Sequence, residues 1–86
     1  MSESEQYHHD TVAQLVKMAN DIADYFHSEP DRELAVAGMV NHIQRYWEPR
    51  MRRKMLESFA ANGGEGLNDL ARAAIARLAE KQRAAA

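Results

Sequence analysis

The sequence contains no cysteine. That absence removes disulfides, thiolate metal sites, iron–sulfur ligation and a thiol nucleophile together. It fits a reducing cytosol. Proline occurs only at positions 30 and 49, and tryptophan only at position 47. No run approaches the ~18 consecutive apolar residues of a membrane span. Residues 1–6 are polar and acidic, without the basic and apolar regions of a secretory signal. The expected compartment is the cytoplasm. No stretch alternates polar and apolar residues with β-branched enrichment, so no sheet is expected.

What remains is helical. The chain has 86 residues, enough for one domain. An apolar fraction of 45% with 28% charged residues is that of an ordinary globular protein. So short a chain buries a modest core, and a deep catalytic cleft would compete for the same few large side chains. The expected organisation is a polar tail over 1–9, a single helical domain over 10–83, and a frayed end over 84–86.

Four short helices are expected in a compact all-α array. The first spans about 11–27, with Asp10 or Thr11 as its cap. Val12, Leu15, Val16, Ala19, Ile22, Ala23 and Phe26 fall within an arc of about 120°, while Asn20 and Asp21 face away. The second spans about 31–47, with Pro30 in its first turn and Ser28 as the cap. Val36, Met39, Val40, Ile43, Tyr46 and Trp47 form its apolar face, and Leu34 projects opposite. Pro49 ends that helix and opens the third, about 49–62. Asn62-Gly63-Gly64 stops the third. The fourth spans about 68–83 behind an Asn68 cap, with Leu67, Leu70, Ala71, Ala74, Ile75 and Leu78 apolar. Short connections favour helices packed on their sequence neighbours, although the Glu48-Pro49 joint is short enough to set a steep angle.

Few residues offer chemistry. His8-His9 is adjacent in sequence and does not converge on one centre, so it reads as polar tail. His27 and His42 have no carboxylate at a zinc-binding spacing. Ser58 lies on a helix without a nucleophile elbow. Gly63-Gly64-Glu65-Gly66 follows a helix and lacks the Lys-Ser/Thr of a phosphate loop. Met18, Met39, Met51 and Met55 recur at helical spacing and read as packing.

The charge distribution says more. The net charge is −2. Residues 1–33 carry eight acidic residues against Lys17 and Arg32, a net of −6; residues 45–54 carry five basic residues against Glu48, a net of +4. Such a dipolar domain points to an oriented protein partner. On the third helix Arg50, Arg53 and Lys54 fall opposite the Met51–Met55–Phe59 stripe. Arg52 falls inside the apolar arc and must snorkel, pair, or reach a partner. Basic residues near a helix N-terminus oppose its dipole. Trp, Tyr and Arg are enriched at interface hot spots. The candidate contact residues are therefore Tyr46, Trp47, Arg50, Arg53 and Lys54, with Arg45 and Leu34 flanking them and the Met18–Tyr25 edge as a secondary contact.

Three stretches resemble one family: Leu15-Val16-Lys17-Met18-Ala19-Asn20-Asp21-Ile22-Ala23, Asn41-His42-Ile43-Gln44-Arg45-Tyr46-Trp47-Glu48-Pro49-Arg50-Met51-Arg52, and Gly66-Leu67-Asn68-Asp69-Leu70. The chain resembles the delta subunit of soluble, NAD-dependent, molybdenum-containing formate dehydrogenases. The specific part is Trp47-Glu48-Pro49-Arg50-Met51-Arg52. The resemblance implies an accessory chain that supports assembly or stability of the alpha subunit. It also implies that bis-molybdopterin guanine dinucleotide, iron–sulfur clusters and FMN belong to partner subunits, with no cofactor and no catalytic residue in this chain. Formate oxidation would be the work of the assembly.

Three other readings compete. A transient maturation chaperone for the alpha subunit has the same sequence requirements. A helix-turn-helix reader built on Arg50, Arg52, Arg53 and Lys54 conflicts with the negative net charge and the acidic first third, since nucleic-acid binders carry an extended basic footprint; no nucleic acid or membrane partner is expected. Self-association of the isolated chain follows from its limited core.

Overall fold

The computed structural model describes residues 11–85 and contains four helices: α1 (Val12–Phe26), α2 (Arg32–Tyr46), α3 (Pro49–Asn62) and α4 (Asp69–Ala85). The 1–9 tail, with its His pair, lies outside the described residues. The fourth helix continues through Ala84 and Ala85, beyond the expected boundary at residue 83. Among the described residues there is no strand, and no helix is long and apolar enough to cross a membrane.

The helix ends follow from local chemistry. Thr11 caps α1, its hydroxyl accepting from the Gln14 amide at 3.2 Å. Asp31 caps α2, with one carboxylate oxygen accepting from Glu33 N at 2.9 Å and Leu34 N at 3.3 Å. The expected cap at Ser28 is thus corrected. An Asp side chain placed directly before the helix satisfies free amides and meets the dipole with negative charge. Pro30 consequently precedes the cap instead of entering the first turn. Pro49 is the first residue of α3, where its missing N–H leaves nothing unsatisfied. Gly63 ends α3 in the left-handed conformation at φ 78°. Asn68 caps α4, accepting from Ala71 N at 2.8 Å.

The core draws unevenly on the four helices. Leu15, Ala19 and Ala23 come from α1; Ala35, Val36, Met39, Val40 and Ile43 from α2; Leu70, Ala71, Ala74, Ile75 and Leu78 from α4. Trp47 and Leu67, just outside helices, are buried too. From α3 only Met55 is fully enclosed, with Met51, Leu56 and Phe59 packed partly against the core. Val12, placed on the core face by periodicity, remains 38% exposed in the first turn of α1.

The most extensive helix pair is α2 with α4, which are not sequence neighbours. Arg32 pairs with Asp69 at 3.1 Å, start to start, while Val40 and Gln44 lie beside Arg77 and Lys81. The two helices therefore run in the same sense. Helix α3 returns between them in sequence and packs on α1 and α4. It barely packs on α2, so the expectation of neighbour packing fails at this joint. The reason is backbone geometry: Trp47 (ψ 138°) and Glu48 (ψ 152°) are both extended, and they send α3 away from α2.

Polar clamps hold the α3–α4 loop. The Asn20 amide donates to Gly66 O at 3.0 Å and accepts from Asn68 N at 2.8 Å. Asn20 thus faces the loop, and its expected outward placement is corrected. Arg72 donates to Leu67 O at 2.9 Å and to Gly63 O at 3.3 Å.

Candidate docking surface

The basic segment divides at the start of α3. The Arg52 guanidinium donates to Trp47 O at 2.7 Å and to Gln44 O at 3.3 Å. It satisfies carbonyls left open where α2 ends, so its place in the apolar arc is resolved within the domain. Arg53 and Lys54 are exposed and enter no ion pair among the described residues. Arg50 is exposed, 3.8 Å from Glu48. These three cations gather at the N-terminal end of α3, where the helix dipole adds positive potential.

Tyr46 and Trp47 separate. Trp47 is only 5% exposed and belongs to the core, so it is corrected from a candidate contact to a packing residue. Tyr46 is 67% exposed, against the expectation that it closes the apolar face. It sits at the edge of that face, and α3, diverted at the joint, does not cover it. Its ring lies 4.8 Å from the His42 ring, and the Arg45 guanidinium stands 5.8 Å from its centroid. The exposed Arg45 and Tyr46 thus form an aromatic-cationic cluster with the half-buried His42 before the joint. Leu34 is 57% exposed, but twelve residues before Tyr46, roughly 18 Å along the helix. Tyr25, on α1, is 77% exposed and packs edge-on against Phe26 at 5.1 Å. The candidates therefore do not form one patch.

Beside the cations runs a groove of about 350 Å³, lined by Pro49, Arg52, Arg53, Leu56, Glu57 and Ala60 of α3 and by Gln82 of α4. Helical periodicity places the α3 members on one face. Gln82 comes from another helix, and no local pattern could have joined it to them. Among the described residues no three His, Asp or Glu side chains are grouped closely enough to hold a metal ion.

Residues 14–75, well over half of the chain, match the family described as NADH-dependant formate dehydrogenase delta subunit FdsD. The chain belongs to the FdsD family. No curated protein and no solved structure gives a match. As a formate dehydrogenase subunit by family, this FdsD chain works in a complex with other subunits. The matched span takes in all of α2 and α3 and the six groove residues of α3; Gln82 lies beyond it.

Proposed function

We propose that this chain is a non-catalytic accessory subunit of an NAD-dependent formate dehydrogenase, and that it docks on the alpha subunit and supports its assembly or stability. In this reading the molybdenum cofactor, the iron–sulfur clusters and FMN reside in the partner subunits. The observation that carries it is the division of labour on α3. One side chain of that helix is fully buried, whereas Arg53 and Lys54 stand exposed and without an ion-pair partner among the described residues. Cations placed against the helix dipole and left without internal carboxylates are suited to a partner's carboxylates.

The test is the Arg50→Glu/Arg53→Glu double variant, co-expressed with the other subunits. Both positions are exposed, so the domain should stay helical by circular dichroism. Recovery of the chain with the alpha subunit should fall. Undiminished recovery would remove this face as the dock. Quantifying the chain in purified, active enzyme separates a permanent subunit, present in stoichiometric amount, from a maturation factor that has left.

A further inference from the structure

The groove on α3 has the form of a helix receptor. Pro49, Arg53, Leu56 and Ala60 are spaced i, i+4, i+7 and i+11, so they line one face of α3 for about 16 Å, three helical turns. Gln82 closes the other bank. Its volume of about 350 Å³ is near the lower end of small-molecule pockets, and here it is strung along three turns of one helix. It suits side-chain anchors at helical spacing, as in the docking of amphipathic helices.

Charge selects among occupants. From Arg50 to Lys54 the start of α3 carries four cations, and within the helix only Glu57 opposes them. Arg52 is engaged with the Trp47 and Gln44 carbonyls. Arg53 borders the groove, and Arg50 and Lys54 lie further around the same exposed side. From Ala60 to Asn62 the helix is uncharged. The surface is thus positive at its Pro49 end, carries the single Glu57 carboxylate midway and is neutral at its Ala60 end. Its complement has carboxylates at one end and small apolar anchors at the other.

We propose that this groove receives an amphipathic helix of the formate dehydrogenase alpha subunit, apolar over Leu56 and Ala60 and bearing carboxylates opposite Arg53 and Lys54. The inference rests on the docking reading above and names the surface and the kind of segment that meets it.

The experiment places a photo-crosslinking residue at Ala60, and separately at Leu34, in the assembled complex. Both sites are exposed, so neither threatens the fold. The expected result is a crosslink from Ala60 to one alpha-subunit segment with apolar residues at i and i+3 or i+4 and Asp or Glu at one end. Arg53→Glu/Lys54→Glu should slow association roughly tenfold at low salt, and reversing the carboxylates of that segment should restore it. A crosslink from Leu34 to the alpha subunit with none from Ala60 overturns the groove and leaves the docking reading standing. So does a crosslink from Ala60 to a second copy of this chain, or to a segment without carboxylates, provided Leu34 reaches the alpha subunit. Absence of alpha-subunit crosslinks from both sites overturns both.

Discussion

Arg52 and Trp47 are joined across the α2–α3 corner, the guanidinium donating to the Trp47 carbonyl at 2.7 Å. The contact uses a charge to close a helix end and leaves the neighbouring arginine outside. Replacing Arg52 by Met keeps much of the apolar stem and removes the donors. It should destabilise the domain by about 1–2 kcal/mol, within the range for hydrogen bonds to charged groups and reduced by partial exposure. Arg53→Met should shift stability by no more than about 0.5 kcal/mol. Urea denaturation of the two variants compares them directly. Equal losses would show that Arg52 is not a clamp.

Tyr46 and Trp47 should separate as sharply. Trp47→Ala empties a core position and should lose about 3–5 kcal/mol, enough to unfold much of so small a domain. Tyr46→Ala should lose less than about 1 kcal/mol, because its ring is mostly in water. Thermal melts of both variants give the comparison. If Tyr46 is the more damaging site, the burial assignment is reversed.

The glycine loop gives a third contrast. Gly63 and Gly64 both have positive φ, at 78° and 84°. A Cβ at Gly63 meets nothing within 4 Å, whereas one at Gly64 comes within 2.7 Å of Leu67 Cδ1 and 3.1 Å of Phe59 Cδ1. Gly63→Ala should lose about 1 kcal/mol from backbone strain alone. Gly64→Ala should lose more, since the packed side chains must also move. Chemical denaturation resolves the order, and a larger effect at Gly63 contradicts it.

The Glu33–Arg77 pair links α2 to α4 through two hydrogen bonds, one of them at 3.0 Å. The bonds from Arg77, then its charge, hold the Glu33 carboxyl below its ordinary range, and the pairing raises Arg77. A carboxylate with a depressed folded pKa stabilises the protein above its unfolded pKa, about 4.3. That contribution disappears as pH falls through the folded value. Glu33→Gln should therefore lower the melting temperature at pH 7, and the gap from the parent chain should narrow on acidification below about pH 4. A pH-independent gap would assign the effect to something other than ionisation.

Much of the fold is legible in the sequence because its signals are local. Pro49 and Gly63 bound α3, Asn68 caps α4, and the buried stripes of α1 and α4 follow helical period. The misses involve residues whose roles depend on distant chain. Asn20 reads as a solvent-facing amide until Gly66 and Asn68 arrive beside it. Ser28 and Asp31 are both good caps, and the choice depends on where Pro30 leaves the backbone. The candidate surface was half legible. The exposed cations on α3 follow from periodicity, but Tyr46 and Trp47 differ by only one residue. Which of them turns inward is decided by the extended backbone at the joint.

The shared direction of α2 and α4 has a consequence for chain length. Two elements that start at the same end need a connector that travels the whole distance back. With 15 residues in α2 and 14 in α3, the outward and return paths are about 22 and 21 Å. Removing one turn from α3 would leave the Gly63–Asn68 loop about 5 Å short and pull Asn68 away from Asn20. The third helix, which adds least to the core, therefore acts as a ruler whose length cannot drift independently of its neighbour's.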